Sequence, residues 1–183
     1  MSSDEDLMIE IGRGSRAAWA TLFERYREPV WRFFRRRASD AGRAEELAQD
    51  TFLALLEGAA RYQRRGTFRS YLFGTAYNVL LADRRKSVRR GTDGLEELVD
   101  AAGAFADPDV GIWIRDAIAT LDEDDREVLM LREYEQLSYQ EIADVRSAPL
   151  NTIRSQIFRA RMALKAALEV RTPEPVRTRH AGL

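Results

Sequence analysis

Apolar residues recur along most of this chain at steps of three and four, and no stretch alternates strictly between apolar and polar. The first pattern buries one stripe of a helix; the second would mark a half-buried strand. An all-α fold is therefore expected. Ala18–Arg37 reads as a helix with Trp19, Leu22, Phe23 and Tyr26 on one stripe, continued by Val30, Phe33 and Phe34. Pro29 should kink or split it. After a break at Ser39–Gly42, a second helix, Ala44–Leu56, turns Leu47, Ala48, Thr51, Phe52 and Leu55 inward. A basic loop, Arg61–Gly66, leads into a third helix over Thr67–Lys86, whose apolar side is Phe68, Tyr71, Leu72, Thr75, Ala76, Val79 and Leu80. Ile112–Leu121 is helical, and Asp122 is placed to N-cap a further helix running to about Tyr134. Met1–Asp6 is polar and expected to fray.

The most informative stretch is Leu137–Leu168. Ser138 and Glu141 have the spacing of a capping box, in which hydroxyl and carboxylate each satisfy an orphan backbone N–H. A short helix with Ile142, Ala143 and Val145 inward is interrupted at Ser147-Ala148-Pro149. From there Leu150, Ile153, Ile157, Ala160 and Leu164 form one stripe, while Arg154, Ser155, Gln156, Arg159, Arg161 and Lys165 take the other side. No acid occurs between Val145 and Leu168. An amphipathic hairpin with a solvated basic face shares part of this pattern. Cap, turn, apolar register and one-signed face together favour a helix-turn-helix, its second helix lying in the DNA major groove.

Charge changes the picture only locally. The 183 residues carry a net charge of −1, so overall charge does not draw the chain to nucleic acid. Basic runs at Arg35–Arg37, Arg84–Arg90 and Arg154–Lys165, and acidic runs at Asp93–Asp109 and Asp122–Glu127, are segregated instead. A phosphate backbone feels such local patches. Ser87–Asp109, rich in glycine and acids and ending in Asp107-Pro108-Asp109, reads as a flexible acidic linker with a transient helix at Leu95–Val99. Two small helical domains follow, at 10–87 and 111–170, with 88–110 as linker and 171–183 as a tail. There is no cysteine, and His180 is the one histidine. Thiolate chemistry, cysteine zinc sites and a Ser-His-Asp triad are thereby excluded as a set, and no cofactor, metal or catalytic residue is expected. No apolar run approaches the ~20 residues that span a bilayer, and the N-terminus lacks a secretory pattern, so a cytoplasmic location without membrane insertion is expected.

The order of these pieces resembles a bacterial RNA polymerase sigma factor of the extracytoplasmic-function (ECF) type. Three segments carry the resemblance. Ala44–Leu56, AEELAQDTFLALL, is similar to the family's polymerase-binding helix, which implies that Glu46, Gln49 and Asp50 contact core RNA polymerase. Arg61–Lys86, RYQRRGTFRSYLFGTAYNVLLADRRK, resembles the family's −10 segment. By that resemblance Tyr62, Gln63, Arg64, Arg65, Tyr77 and Asn78 are candidates to hold an unstacked base, and Arg84, Arg85 and Lys86 to hold the backbone. Ala82 stands where the family commonly has an acid or amide. The third segment, Asp122–Leu168, resembles the −35 reader, with Asn151, Thr152, Arg154, Ser155, Gln156, Phe158 and Arg159 as the implied DNA contacts. Asp122 stands in place of a usual proline, Ser147 in place of a turn glycine, Arg146 in place of an apolar residue, and Asn151 in place of a frequent glycine. Gln156 replaces a frequent arginine, and Gln pairs with adenine where Arg favours guanine.

The resemblance implies a factor that binds core polymerase and promoter DNA, performs no bond chemistry, and meets an anti-sigma partner. A stand-alone helix-turn-helix regulator would account for the C-terminal half equally well, but has no need of the RYQRRGTFRSYLFGTAYN stretch. A protein-binding helical adaptor predicts no salt-dependent DNA binding.

Overall fold

Short polar side chains set the helix starts. The structure, a computed structural model, describes residues 2–90 and 108–169. Among these residues it contains eight α-helices and no strand: α1 (Asp4–Gly12), α2 (Arg16–Arg35), α3 (Ala41–Gly58), α4 (Phe68–Arg90), α5 (Pro108–Ala119), α6 (Glu123–Glu133), α7 (Tyr139–Arg146) and α8 (Leu150–Glu169). A single 3-10 turn, Ala59–Arg61, follows α3. The hydroxyls of Ser3 and Ser15 and the Asp40 carboxylate accept from backbone N–H groups at the starts of α1, α2 and α3.

Several expectations are corrected. The stretch from Ser3 to Asp6 does not fray: Ser3 and Asp6 form a capping box, and Leu7, Met8 and Ile11 bury the inner side of α1. Pro29 does not split α2. It withdraws one backbone donor, but Tyr26, Val30, Phe33 and Phe34 are buried around it and hold the helix. Asp122 occupies the N-cap position of α6, yet its side chain accepts no capping bond. α4 runs beyond Lys86 to Arg90, and α5 begins at Pro108, where the fixed φ of proline suits a first turn. The middle of the expected linker, with its transient helix, and the tail from residue 170 lie outside the described residues.

The two helical units pack on each other. Phe33, Phe34, Leu72 and Phe73 of the first join Val128, Leu131, Leu137, Ile142 and Val145 of the second in one buried cluster. α4 lies against α7, helped by Gly74, where an added Cβ would stand 4.0 Å from Val145 Cα. The basic run Arg35–Arg37, read from sequence as a patch open to phosphate, supplies the polar part of this contact instead. Arg37, its side chain 1% exposed, donates from Nε to Glu127 at 2.9 Å and from Nη1 to Glu135 at 3.1 Å. Arg36 donates to Glu135 at 2.9 Å, and Arg69 to the Glu135 carbonyl.

Candidate nucleic-acid interface

The basic loop is held at both ends. The 3-10 turn leads in, and at the exit Thr67 caps α4 by accepting from Ser70 N–H at 3.2 Å. Between loop and helix opens a cavity of about 740 Å³, lined by Tyr62, Gln63, Arg65, Tyr71, Thr75 and Asn78 among others. That size is ordinary for a small-ligand cleft. Tyr62 stands 5.0 Å, ring to ring, from Tyr71, and its buried hydroxyl has no hydrogen-bond partner. Burial pushes the Tyr62 phenol above its ordinary range. Gln63 accepts from Arg65 at 2.9 and 3.1 Å, and Arg64 pairs with Asp6. Asn78 is exposed on the cavity wall. Tyr71, read from sequence as core, is half-buried and shares this wall.

Two −10 candidates sit elsewhere. Tyr77 is only 8% exposed and lies beneath the Arg146 guanidinium, 5.1 Å from its ring centre, so it faces α7 and not the cavity. Arg84 donates to Glu123 at 2.9 Å, while Arg85 and Lys86 remain exposed.

α7 closes one side of the cavity. Thr67 Oγ1 donates to Glu141 at 2.6 Å, Asp144 lines the cavity, and a Cβ added to Gly66 would stand 3.5 Å from the Asp144 carboxylate. Burial pushes the Glu141 carboxyl up, but hydrogen bonds from Thr67 and Ser138 outweigh it and leave the group below its ordinary range.

The helix-turn-helix forms as its local signals require. Glu141 N–H donates to the Ser138 hydroxyl at 3.2 Å, and Ser138 N–H donates to the Glu141 carboxylate at 2.8 Å. Ser147 takes the left-handed conformation (φ 50°) that lets the chain turn into α8. Ile153, Ile157 and Ala160 are buried. Asn151, Thr152, Arg154 and Ser155 are exposed on the first turns, and Phe158 stands 66% exposed. Arg159 is drawn to Asp125, donating at 2.7 and 3.1 Å, which holds its guanidinium above its ordinary range. Gln156 is the exception. It is 9% exposed, and its Oε1 is buried without a partner. Position 156 falls between Ile153 and Ala160 on the packed side, so it does not present an amide to a base.

On α3, Glu46, Gln49 and Asp50 are exposed together. Glu46 pairs with Arg43, and Gln49 donates to Glu45 at 3.1 Å. Beside them lie apolar residues that the sequence reading did not assign to this face: Leu53 at 57% exposed and Leu56, with Phe23 of α2, whose ring centre is 4.8 Å from that of Phe52. Among the described residues, no three His, Cys, Asp or Glu side chains gather to hold a metal ion, and no helix is long and apolar enough to cross a membrane.

Comparison with known proteins draws these surfaces together. Residues 22–90 match the family model for sigma-70 region 2, and residues 112–164 that for sigma-70 region 4. The ECF RNA polymerase sigma factor SigC of Mycobacterium tuberculosis is 35% identical over 171 residues, covering 89% of this chain and 90% of that protein. The chain belongs to the ECF sigma factors. RNA polymerase sigma-H factor of Pseudomonas aeruginosa is 29% identical over 181 residues, covering 91% of this sigma factor and 94% of its relative. Among solved structures, the sigma factor RpoE of Bartonella quintana, in complex with the anti-sigma factor NepR, superposes with a TM-score of 0.70 at 22% identity, covering 84% of this chain and 98% of that one. CnrH in complex with the cytosolic domain of CnrY gives 0.69 at 20% identity, over 93% of this chain and 100% of that one. These two show the shared all-α fold.

This sigma factor binds core RNA polymerase and directs initiation at particular promoters. Its helix-turn-helix presents Asn151, Thr152, Arg154 and Ser155 outward, whereas its basic loop is partly overlain by its own α7.

Proposed function

We propose that the factor reads a promoter at two points, with 10–87 docking on core polymerase and holding an unstacked −10 base, the segment joining α4 to α5 as tether, and 111–170 gripping the −35 duplex. The observation that carries this is the cavity beside the basic loop. It offers aromatic faces (Tyr62, Tyr71), amides (Gln63, Asn78) and cations (Arg61, Arg65) to one nucleotide and its phosphates, and Arg64 stands beside it on the same loop, paired with Asp6. Stacking on such rings is worth roughly 1–3 kcal/mol per base. Arg85 and Lys86 continue toward the backbone, and Arg84 joins them once it leaves Glu123. At −35, Asn151, Thr152, Arg154 and Ser155 meet base edges and phosphates, Phe158 meets a thymine methyl, and Arg159 reaches phosphate from its anchor on Asp125. Glu46, Gln49 and Asp50, with Phe23, Leu53 and Leu56 beside them, form the polymerase-binding face.

Glu141 and Asp144 stand at the rim of the −10 cavity, where a phosphate would meet repulsion. The packed arrangement is thus a resting one, and α7 leaves the rim when promoter is bound. Two linked contacts of modest strength then multiply through effective concentration. The factor acts in the cytoplasm and leaves bond chemistry to the polymerase. The RpoE and CnrH structures, each a complex with another protein, support an anti-sigma partner here as well.

The test is a pull-down of core polymerase followed by run-off transcription over a promoter library. Binding with initiation at a restricted set is expected. Duplex binding with no affinity for core overturns the reading in favour of a stand-alone regulator.

A further inference from the structure

The N-terminal helix α1 touches the base-capture loop at three places. At the loop exit, Glu5 Oε1 accepts from the backbone N–H of Phe68, the first residue of α4, at 2.8 Å. Thr67 already caps α4 locally through Ser70 N–H, so Glu5 satisfies a second orphan donor from 63 residues away. In the middle of the loop, Asp6 pairs with Arg64. At the loop entry, Gly12 packs against the 3-10 turn so closely that an added Cβ would stand 2.6 Å from the Ala59 carbonyl oxygen. α1 is itself fixed: Met8 is fully buried, and Asp4 accepts from Tyr26 and Arg25. These acids serve no contact in the two-point reading, yet beyond the capping box that Asp6 forms with Ser3 their ties end on the loop or on the helices beside it.

We propose that Glu5 is a positioning residue for −10 capture: by capping α4 from outside, it fixes where the loop ends and so where Tyr62 and Asn78 stand relative to each other. The Phe68 N–H donated to Glu5 holds its carboxyl below the ordinary range, so the cap is ionised at neutral pH. Asp6 acts in the same frame, keeping Arg64 extended along α1 until a phosphate replaces it. A preorganised loop binds a strand without first losing conformational freedom. The inference rests on the −10 pocket proposed above.

The test uses full-length factor bound to core polymerase and a short fluorescent single strand carrying a −10 sequence selected by that holoenzyme from a random pool. Glu5→Ala is expected to weaken strand binding about fivefold, the factor that corresponds to one lost helix cap. Glu5→Gln, which keeps an acceptor oxygen, should restore most of it, and affinity for −35 duplex should stay unchanged in both. Should the alanine variant fail to fold, the glutamine variant compared with Glu5→Lys gives the same contrast. Strand binding equal to the unsubstituted factor in every Glu5 variant overturns the proposal. Asn78→Ala, measured alongside, separates the causes. If it weakens binding while the Glu5 variants do not, the positioning role alone fails; if it too has no effect, the pocket itself is misassigned.

Discussion

The two surfaces proposed to read DNA in this sigma factor are built in opposite ways. The proposed −35 helix α8 is set largely by its own neighbourhood: capping box, left-handed turn and buried stripe all lie between Ser138 and Ala160, and the outer side of its first turns is open, with Arg159 further along tied to Asp125. The −10 loop depends on distant parts of the chain. α1 ties it from one side, and α7 overlies it from the other. A surface organised locally is ready as soon as its domain folds. One organised by long-range contacts is switched by whatever moves those contacts.

The contrast is broken most severely at Arg37. Removing its guanidinium leaves Glu127 buried without its cation and Glu135 with Arg36 alone, and an uncompensated buried charge of this kind costs about 3–5 kcal/mol. Arg37→Ala should separate the two units, with lower stability in denaturant melts and larger dimensions in small-angle scattering. A compact variant of unchanged stability would show that the apolar contact alone holds them. Arg154→Ala should weaken −35 duplex binding by roughly 1–3 kcal/mol if it reads a base, or lower the salt slope if it holds phosphate, with no effect on −10 strand binding. Equal affinity and equal slope in the variant would remove α8 from the reading.

Gln156→Leu sharpens the same surface. Its Oε1 is buried without a partner, so an apolar side chain of similar size should be neutral or stabilising by about 1 kcal/mol. Base preference at −35 should not change; a changed preference would mean that Gln156 swings out on DNA. Asp50→Arg should weaken core binding with unfolding free energy within about 0.5 kcal/mol, as for other exposed sites. Loss of helicity would give Asp50 a structural role.

The smallest expected effect is on pH. The Glu141 carboxyl is held below the value of 4.5 taken as ordinary for glutamate. A depressed carboxylate contributes fully above its unfolded value and loses that contribution as pH falls through its folded one. The Thr67–Glu141 tie should therefore be constant from neutral pH down to the ordinary carboxylate range and weaken only below it. Comparing strand access in the unsubstituted factor and Glu141→Gln across that range checks this. A difference that varies between pH 6 and 8 would contradict it.

What the sequence made legible follows the same division. Periodicity identified every inward residue expected of the second helix, Leu47, Ala48, Thr51, Phe52 and Leu55, because a helix face is a local property. The Ser138 and Glu141 caps were equally readable. Arg37 read as one of a phosphate-facing run, since its partners lie 90 and 98 residues away. Tyr77 read as open to a base, because nothing near it in sequence indicates Arg146. Glu5 read as part of a frayed end, although three acids in a first turn after Ser3 were an available sign of a helix start. Gln156 was assigned by polarity, while its register places it beside Ile157.

The most direct test measures both nucleic acids on both forms of the protein. A −10 single strand and a −35 duplex would be titrated by fluorescence anisotropy against the free factor and against its complex with core polymerase. The free factor should bind the duplex and not the strand, and the complex should bind both. Strand binding by the free factor as tight as by the complex would contradict the account, since α7 would then place no constraint on the −10 cavity.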